Sequence, residues 1–92
     1  MSEWTDPRSS IWNGLKLSAR FRVTEAMKHI LGHGSLNRAD IQRIGEVSNQ
    51  QASNDIREII KRTSALDYDV RDKCYVLKAH LKPVHERLPS NR

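Results

Sequence analysis

The chain has 92 residues, 37% hydrophobic and 29% charged, with 16 Lys plus Arg against 11 Asp plus Glu for a net charge of +5. A chain of this length forms one small domain that buries roughly 60–65% of the surface its unfolded form exposes, which excludes a deep substrate cavity. The single Cys74 excludes an internal disulfide, no apolar run approaches the ~20 residues that span a bilayer, and MSEWTDPRSS lacks the basic start and apolar run of a secretory signal.

The sequence is therefore read as intracellular and cytoplasmic, with no membrane partner. The positive surplus favours a polyanion, nucleic acid before membrane. From Lys16 to Lys28 four basic residues (Lys16, Arg20, Arg22, Lys28) stand against Glu25. From Lys73 to Arg92 five (Lys73, Lys78, Lys82, Arg87, Arg92) stand against Glu86. Between them the chain is near neutral, so phosphate contacts are expected from the flanks.

In chain order, Asp6-Pro7 is a helix-start signal and Gly14 a stop, which predicts a helix of about two turns carrying Ile11 and Trp12 inward. Trp4 precedes the cap, and its place is left open. Ser18 to about Leu31 is the first substantial helix, with Phe21, Val23, Ala26, Met27, Ile30 and Leu31 as its buried stripe and Gly32 with Gly34 as its end. Arg20, Arg22, Glu25 and Lys28 fall away from that stripe. Asn37 caps the next helix, Asp40 sits favourably in its first turn, and Ile41 and Ile44 are its core contacts, with Leu36 and Val47 at its ends. Gly45 is expected to break it, and Glu46-Val47 lead into a second cap at Ser48, with Gln51 reaching back in a capping box.

From Ser48 to Arg62, Ala52, Ile56, Ile59 and Ile60 recur on one helical face. The other face carries Asn49, Gln50, Ser53, Asn54, Arg57 and Lys61, a donor and acceptor set suited to base edges and phosphates in a major groove. Two short helices joined by so tight a turn read as a helix-turn-helix, whose second helix is expected to enter the groove; an ordinary amphipathic helix with a solvated polar face is the alternative reading of the same pattern. After Ala65 the period changes. Leu66, Tyr68 and Val70 alternate with Asp67, Asp69 and Arg71, and Cys74 to Leu77 is a second run of β-formers. Arg71-Asp72-Lys73 then connects a hairpin with a basic tip, which must lean on the helices to be stable.

The chain thus divides into an N-terminal arm with a short helix (1–17), a DNA-binding domain (18–78) and a basic C-terminal tail (79–92). In the tail, Leu81, Val84 and Leu88 form one amphipathic turn after Pro83, and Pro89 to Arg92 are expected to fray. The fold class is mainly α with a small β-hairpin, a winged helix-turn-helix.

The run from Leu36 to Leu77 resembles the N-terminal winged helix-turn-helix domain of bacterial DeoR-like and WYL-domain transcriptional regulators. The shared features are LNRADIQRIG for the first helix, SNQQASNDIREI for the recognition helix and LDYDVRDKCYVL for the wing. The connection Gly45-Glu46-Val47-Ser48 is one residue longer than the usual glycine, apolar, serine turn, and the chain stops where those regulators continue into sensing and dimerising domains. The resemblance implies a minimal DNA-binding module, either free-standing or one domain of a longer product.

Other chemistry finds less support. His29 and His33 are four apart near a helix end, yet no close Cys pair or carboxylate set accompanies them or Cys74, His80 and His85, so no metal or other cofactor is expected. A charged His at a helix C-terminus is explained by the terminal carbonyls. No nucleophile, base and acid are forced together, and the glycines are too scattered for a phosphate loop, so the chain is not read as an enzyme.

The expectation is a sequence-specific double-stranded DNA-binding transcriptional repressor, homodimeric on paired half-sites, with no small-molecule ligand. Ser48, Asn49, Gln50, Gln51, Ser53, Asn54 and Arg57 are its readers, while Lys61, Arg38, Arg71 and Lys73 contact phosphates and Arg20, Arg22 and Lys28 are weaker candidates. Two rivals stand beside it. A winged-helix protein-interaction adaptor would use the same face without specific DNA binding. A single-stranded nucleic-acid binder is weakened by 5% aromatic content and the lack of an exposed stacking pair.

Overall fold

The structure, a computed structural model, describes residues 2–78; the expected amphipathic turn of Leu81, Val84 and Leu88 and the expected fraying of Pro89 to Arg92 lie outside them. Three helices, α1 (Leu17–His33), α2 (Arg38–Gly45) and α3 (Asn49–Thr63), precede two antiparallel strands, β1 (Leu66–Asp69) and β2 (Cys74–Leu77). The protein is mainly helical with a small two-stranded sheet. Among the described residues no helix is long and apolar enough to cross a membrane.

The N-terminal arm differs from the expected two-turn helix. It forms two single 3₁₀ turns, Ser2–Thr5 and Ser10–Trp12. The Asp6 carboxylate is taken by the Arg8 backbone N–H at 2.9 Å, which closes a local turn, and Ser9 caps the second turn instead, accepting from Ile11 N. The arm is held by packing and by arginines. Trp4 and Trp12 are both buried, Trp12 completely. Arg62 of α3 donates to the Ile11 and Asn13 carbonyls at 2.9 and 2.6 Å, and Arg20 of α1 donates to the Leu15 and Pro7 carbonyls at 3.0 and 3.4 Å.

Helix α1 buries Val23, Thr24, Ala26, Met27 and Ile30. Phe21, expected inside, is 52% exposed, because Val23, Met27 and Ile30 already define the stripe and Phe21 falls outside it. The helix ends at Gly34, whose φ of 88° is the left-handed stop that glycine accepts, whereas Gly32 stays helical.

Asn37 caps α2 in a reciprocal box: its side chain accepts from Asp40 N, and the Asp40 carboxylate accepts from Asn37 N, each at 2.9 Å. Ile41 is fully buried and Ile44 half-buried. The end of α2 corrects the sequence reading. Gly45 remains helical and Glu46, with φ 52°, makes the left-handed turn. Gly45 is there for space, since a Cβ on it would lie 2.4 Å from Arg22 Cδ and 2.8 Å from Arg22 Cγ.

Helix α3 places Ala52, Ile56 and Ile59 in the core, with Asp55 buried among them. Ile60, expected beside them, is 38% exposed toward the hairpin. The strands pair Leu66 with Leu77, Tyr68 with Tyr75 and Asp69 with Cys74. Val70 lies in the turn rather than in β1, which makes the connection four residues, 70–73. The hairpin leans on the helices through its ends and its outer edge. Leu66 and Leu77 are buried, and Leu36 exchanges backbone hydrogen bonds of 2.9 and 2.7 Å with Tyr75. That bridge occupies the free edge of β2 and fixes the ribbon against the α1–α2 connection.

Candidate nucleic-acid interface

The site begins with Ser48. Its hydroxyl accepts from Gln51 N at 3.1 Å, which satisfies one free amide of the first turn of α3 and sets where the outward residues start. Gln51 does not reach back to complete a box. Its side-chain amide donates to Asp55 Oδ1 at 3.0 Å, a bond to a buried carboxylate that turns the side chain along the helix instead of back toward Ser48 N.

The predicted readers therefore divide around the helix. Gln50, Arg57 and Lys61 point outward, are exposed, and have no side-chain hydrogen bond or ion pair among the described residues. Asn49, Ser53 and Arg57 line a cleft of about 640 Å³ between α3, the start of α2 and the hairpin. Ser53 there accepts from the Arg38 guanidinium at 3.3 Å, so a predicted reader and a predicted phosphate contact are one unit. Gln51 and Asn54, both half-buried, lie on the other flank in a smaller hollow with Leu15, Ala19, Asp55 and Glu58, which Arg57 also borders. The face thus holds Gln50, Arg57 and Lys61 together with Asn49, while Gln51 and Ser48 are held by the helix's own bonds.

The hairpin tip carries Arg71 and Lys73, both exposed. Asp69 shapes it, its Oδ1 accepting from Arg71 N at 3.0 Å and Asp72 N at 3.2 Å, and Lys73 takes φ 54°. The carboxylate is thereby occupied by backbone, and both cationic side chains stay free of it. Lys73 reaches the same cleft as Arg38 and Arg57, with Tyr68 and Tyr75 between.

The weaker candidates on α1 are corrected. Arg22 is not available to a phosphate: its Nε donates to Asp55 Oδ2 at 2.7 Å and its Nη2 to Oδ1 at 3.3 Å, and the two side chains are 15% and 3% exposed. Arg20 is spent on the arm carbonyls, and Lys28 pairs with Glu25 at 2.9 Å on the surface. The Arg22–Asp55 pair ties α1 to α3 and, through Gln51, reaches the first turns of α3. Sequence reasoning passed over Asp55, although a signal was present. It lies on the helical arc of Ala52 and Ile59, where a carboxylate requires a cation from a neighbouring helix.

The remaining titratable groups are structural. His29 and His33 stack with centroids 4.4 Å apart, and His29 Nε2 lies 3.5 Å from Asp40 Oδ2. No group of three metal-binding side chains occurs among the described residues. Burial, with Asp69 and Asp72 nearby, pushes the Cys74 thiol up against a weaker opposing bond from Ser35. A side-chain hydrogen bond from Arg62 holds Glu58 below the usual carboxylate range despite partial desolvation. No family model, curated protein or solved structure matches the chain, so its functional reading rests on this geometry.

Proposed function

We propose that the chain is a winged helix-turn-helix protein that binds double-stranded DNA and regulates transcription, with α3 in the major groove and the β1–β2 hairpin as the wing on the backbone or minor groove. One observation carries this reading: the outward face of α3 presents Gln50, Arg57 and Lys61 without a hydrogen bond or ion pair among the described residues, the intervening Glu58 being ion-paired to Arg62, beside a hairpin tip with exposed Arg71 and Lys73. Unsatisfied amides and cations on a rigid helix are what base edges and phosphates require. Repression as a homodimer on paired half-sites is part of the proposal. Leu17 and Phe21, one turn apart and exposed on α1, offer the apolar contact between copies.

Fluorescence anisotropy on random duplex DNA at two salt concentrations, followed by selection of a preferred site, tests it. Gln50→Ala and Asn49→Ala are expected to cost about 1–3 kcal/mol at the selected site and to spare nonspecific binding. Lys73→Ala is expected to weaken every duplex and reduce the salt slope by about one. If none of these variants alters affinity for any duplex, the proposal fails and an adaptor role for the same face takes its place.

A further inference from the structure

The cleft between α3 and the hairpin has a composition that a duplex contact does not require. Three cations from three elements reach it, Arg38 at the start of α2, Arg57 on α3 and Lys73 at the hairpin tip. No Asp or Glu among the described residues lines it. Among the described residues Arg57 and Lys73 form no ion pair, Glu58 beside Arg57 being paired to Arg62, and Arg38 has only the neutral Ser53 hydroxyl. Cations gathered without carboxylates call for an anion.

The rest of the wall combines neutral polar side chains, Asn37, Gln42, Asn49 and Ser53, with aromatic and apolar ones. Tyr68 and Tyr75 face each other across the strands with centroids 5.0 Å apart at 65°, an edge-on contact that holds Tyr68 in place while leaving it 51% exposed. Ile60 adds an apolar surface on the α3 side. The sequence reading found no exposed stacking pair; the structure places one exposed tyrosine, Tyr68, beside the cations. A volume of about 640 Å³ lies within the range of roughly 300–1,000 Å³ typical of small-ligand sites. Inorganic phosphate would leave the tyrosine wall unused, and an apolar ligand would leave three cations unused.

We propose that this cleft binds a single nucleotide, with the phosphate toward Arg38, Arg57 and Lys73 and the base against Tyr68. The nucleotide is supplied either free in solution or as an unpaired residue of a strand. The inference goes beyond the duplex reading and does not require it. Because Arg38, Ser53, Arg57 and Lys73 are also proposed duplex contacts, an occupied cleft competes with duplex binding.

The test is a titration of the full chain followed by backbone and tyrosine NMR shifts, with adenosine monophosphate, adenosine, inorganic phosphate and an oligodeoxyadenylate as probes. Adenosine monophosphate is expected to saturate with shifts at Arg57, Tyr68 and Lys73, and to bind about tenfold more tightly than adenosine or phosphate alone. Tyr68→Ala is expected to lower its affinity about tenfold while leaving phosphate binding unchanged, and Lys73→Ala to weaken both. Tighter binding of the oligonucleotide per nucleotide assigns the strand as the source; equal binding assigns the free nucleotide. Indistinguishable binding of adenosine monophosphate and phosphate, or shifts outside the cleft, overturns the proposal. The ligand series decides this even where the Tyr68 variant fails to fold. Salt-sensitive duplex binding without nucleotide binding would sink this inference alone, and the reverse result would sink the duplex reading alone.

Discussion

Replacing Gly45 by alanine sets helix propensity against packing, and the structure says which effect wins. Alanine is favoured over glycine in a helix by about 1 kcal/mol, and Gly45 is helical, so propensity alone predicts a gain. The new Cβ, however, would meet Arg22 Cδ at 2.4 Å and Cγ at 2.8 Å. Arg22 cannot swing aside freely, because its guanidinium is fixed by two bonds to the buried Asp55 carboxylate. Forced overpacking costs roughly 1–3 kcal/mol, and full rupture of a buried pair roughly 3–5 kcal/mol. After the propensity gain, a net loss of about 1–3 kcal/mol is expected, since partial adjustment of Arg22 avoids full rupture. For a domain of this size each kcal/mol lowers Tm by about 4–8 °C. Urea and thermal melts followed by tryptophan fluorescence measure it, and the decisive comparison is the same substitution in an Arg22→Ala/Asp55→Ala background. There neither charge is stranded and the obstacle is gone, so Gly45→Ala is expected to be neutral or stabilising by up to about 1 kcal/mol. A stabilised Gly45→Ala in the wild-type background, or equal losses in both, would refute the argument.

Two further outcomes follow from the charges and from α1. Burial acts to raise the Asp40 pKa, but the Asn37 backbone N–H and the Arg43 guanidinium, with His29 nearby, outweigh it and hold the carboxyl below the usual range. Its folded pKa is depressed, so the unfolded chain binds the proton first, and the stabilisation is complete above about pH 4 and is lost as pH falls through the folded value. The stability difference between wild type and Asp40→Asn is therefore expected to shrink below about pH 4 in urea melts, and a pH-independent difference would contradict it. Phe21→Glu, at an exposed position, is expected to change stability by no more than about 0.5 kcal/mol while shifting the sedimentation of a dimer to that of a monomer. Unchanged sedimentation would remove α1 from the dimer proposal.

Much of the secondary structure was legible in the sequence because it is written in local signals. Asn37 and Ser48 cap their helices where expected, since a short polar side chain serves amides two or three residues away, and no distant residue is needed. The spacing of Ala52, Ile56 and Ile59 located the buried face of α3 for the same reason, though Ile60 lies at its exposed margin, and the alternation after Ala65 located the strands up to Asp69. The misreadings fall where a distant partner decides. Asp6-Pro7 reads as a helix start, but the arm follows the carbonyls offered to Arg20 and Arg62. Gly45 reads as a stop, but its lack of a side chain serves Arg22 from another helix.

The candidate site shows the same division. Composition and period placed Gln50, Arg57 and Lys61 on an outward face. Which of the remaining polar groups are free was set by tertiary contacts. Gln51 turns to Asp55, Ser53 to Arg38, and Arg22 leaves the surface altogether. A side chain's helical angle depends on its own neighbours and can be counted along the chain. Its electrostatic partner, as with Arg22 and Asp55, or the tyrosine and cations of the cleft, comes from segments tens of residues away, and only the packed chain brings them within bonding distance.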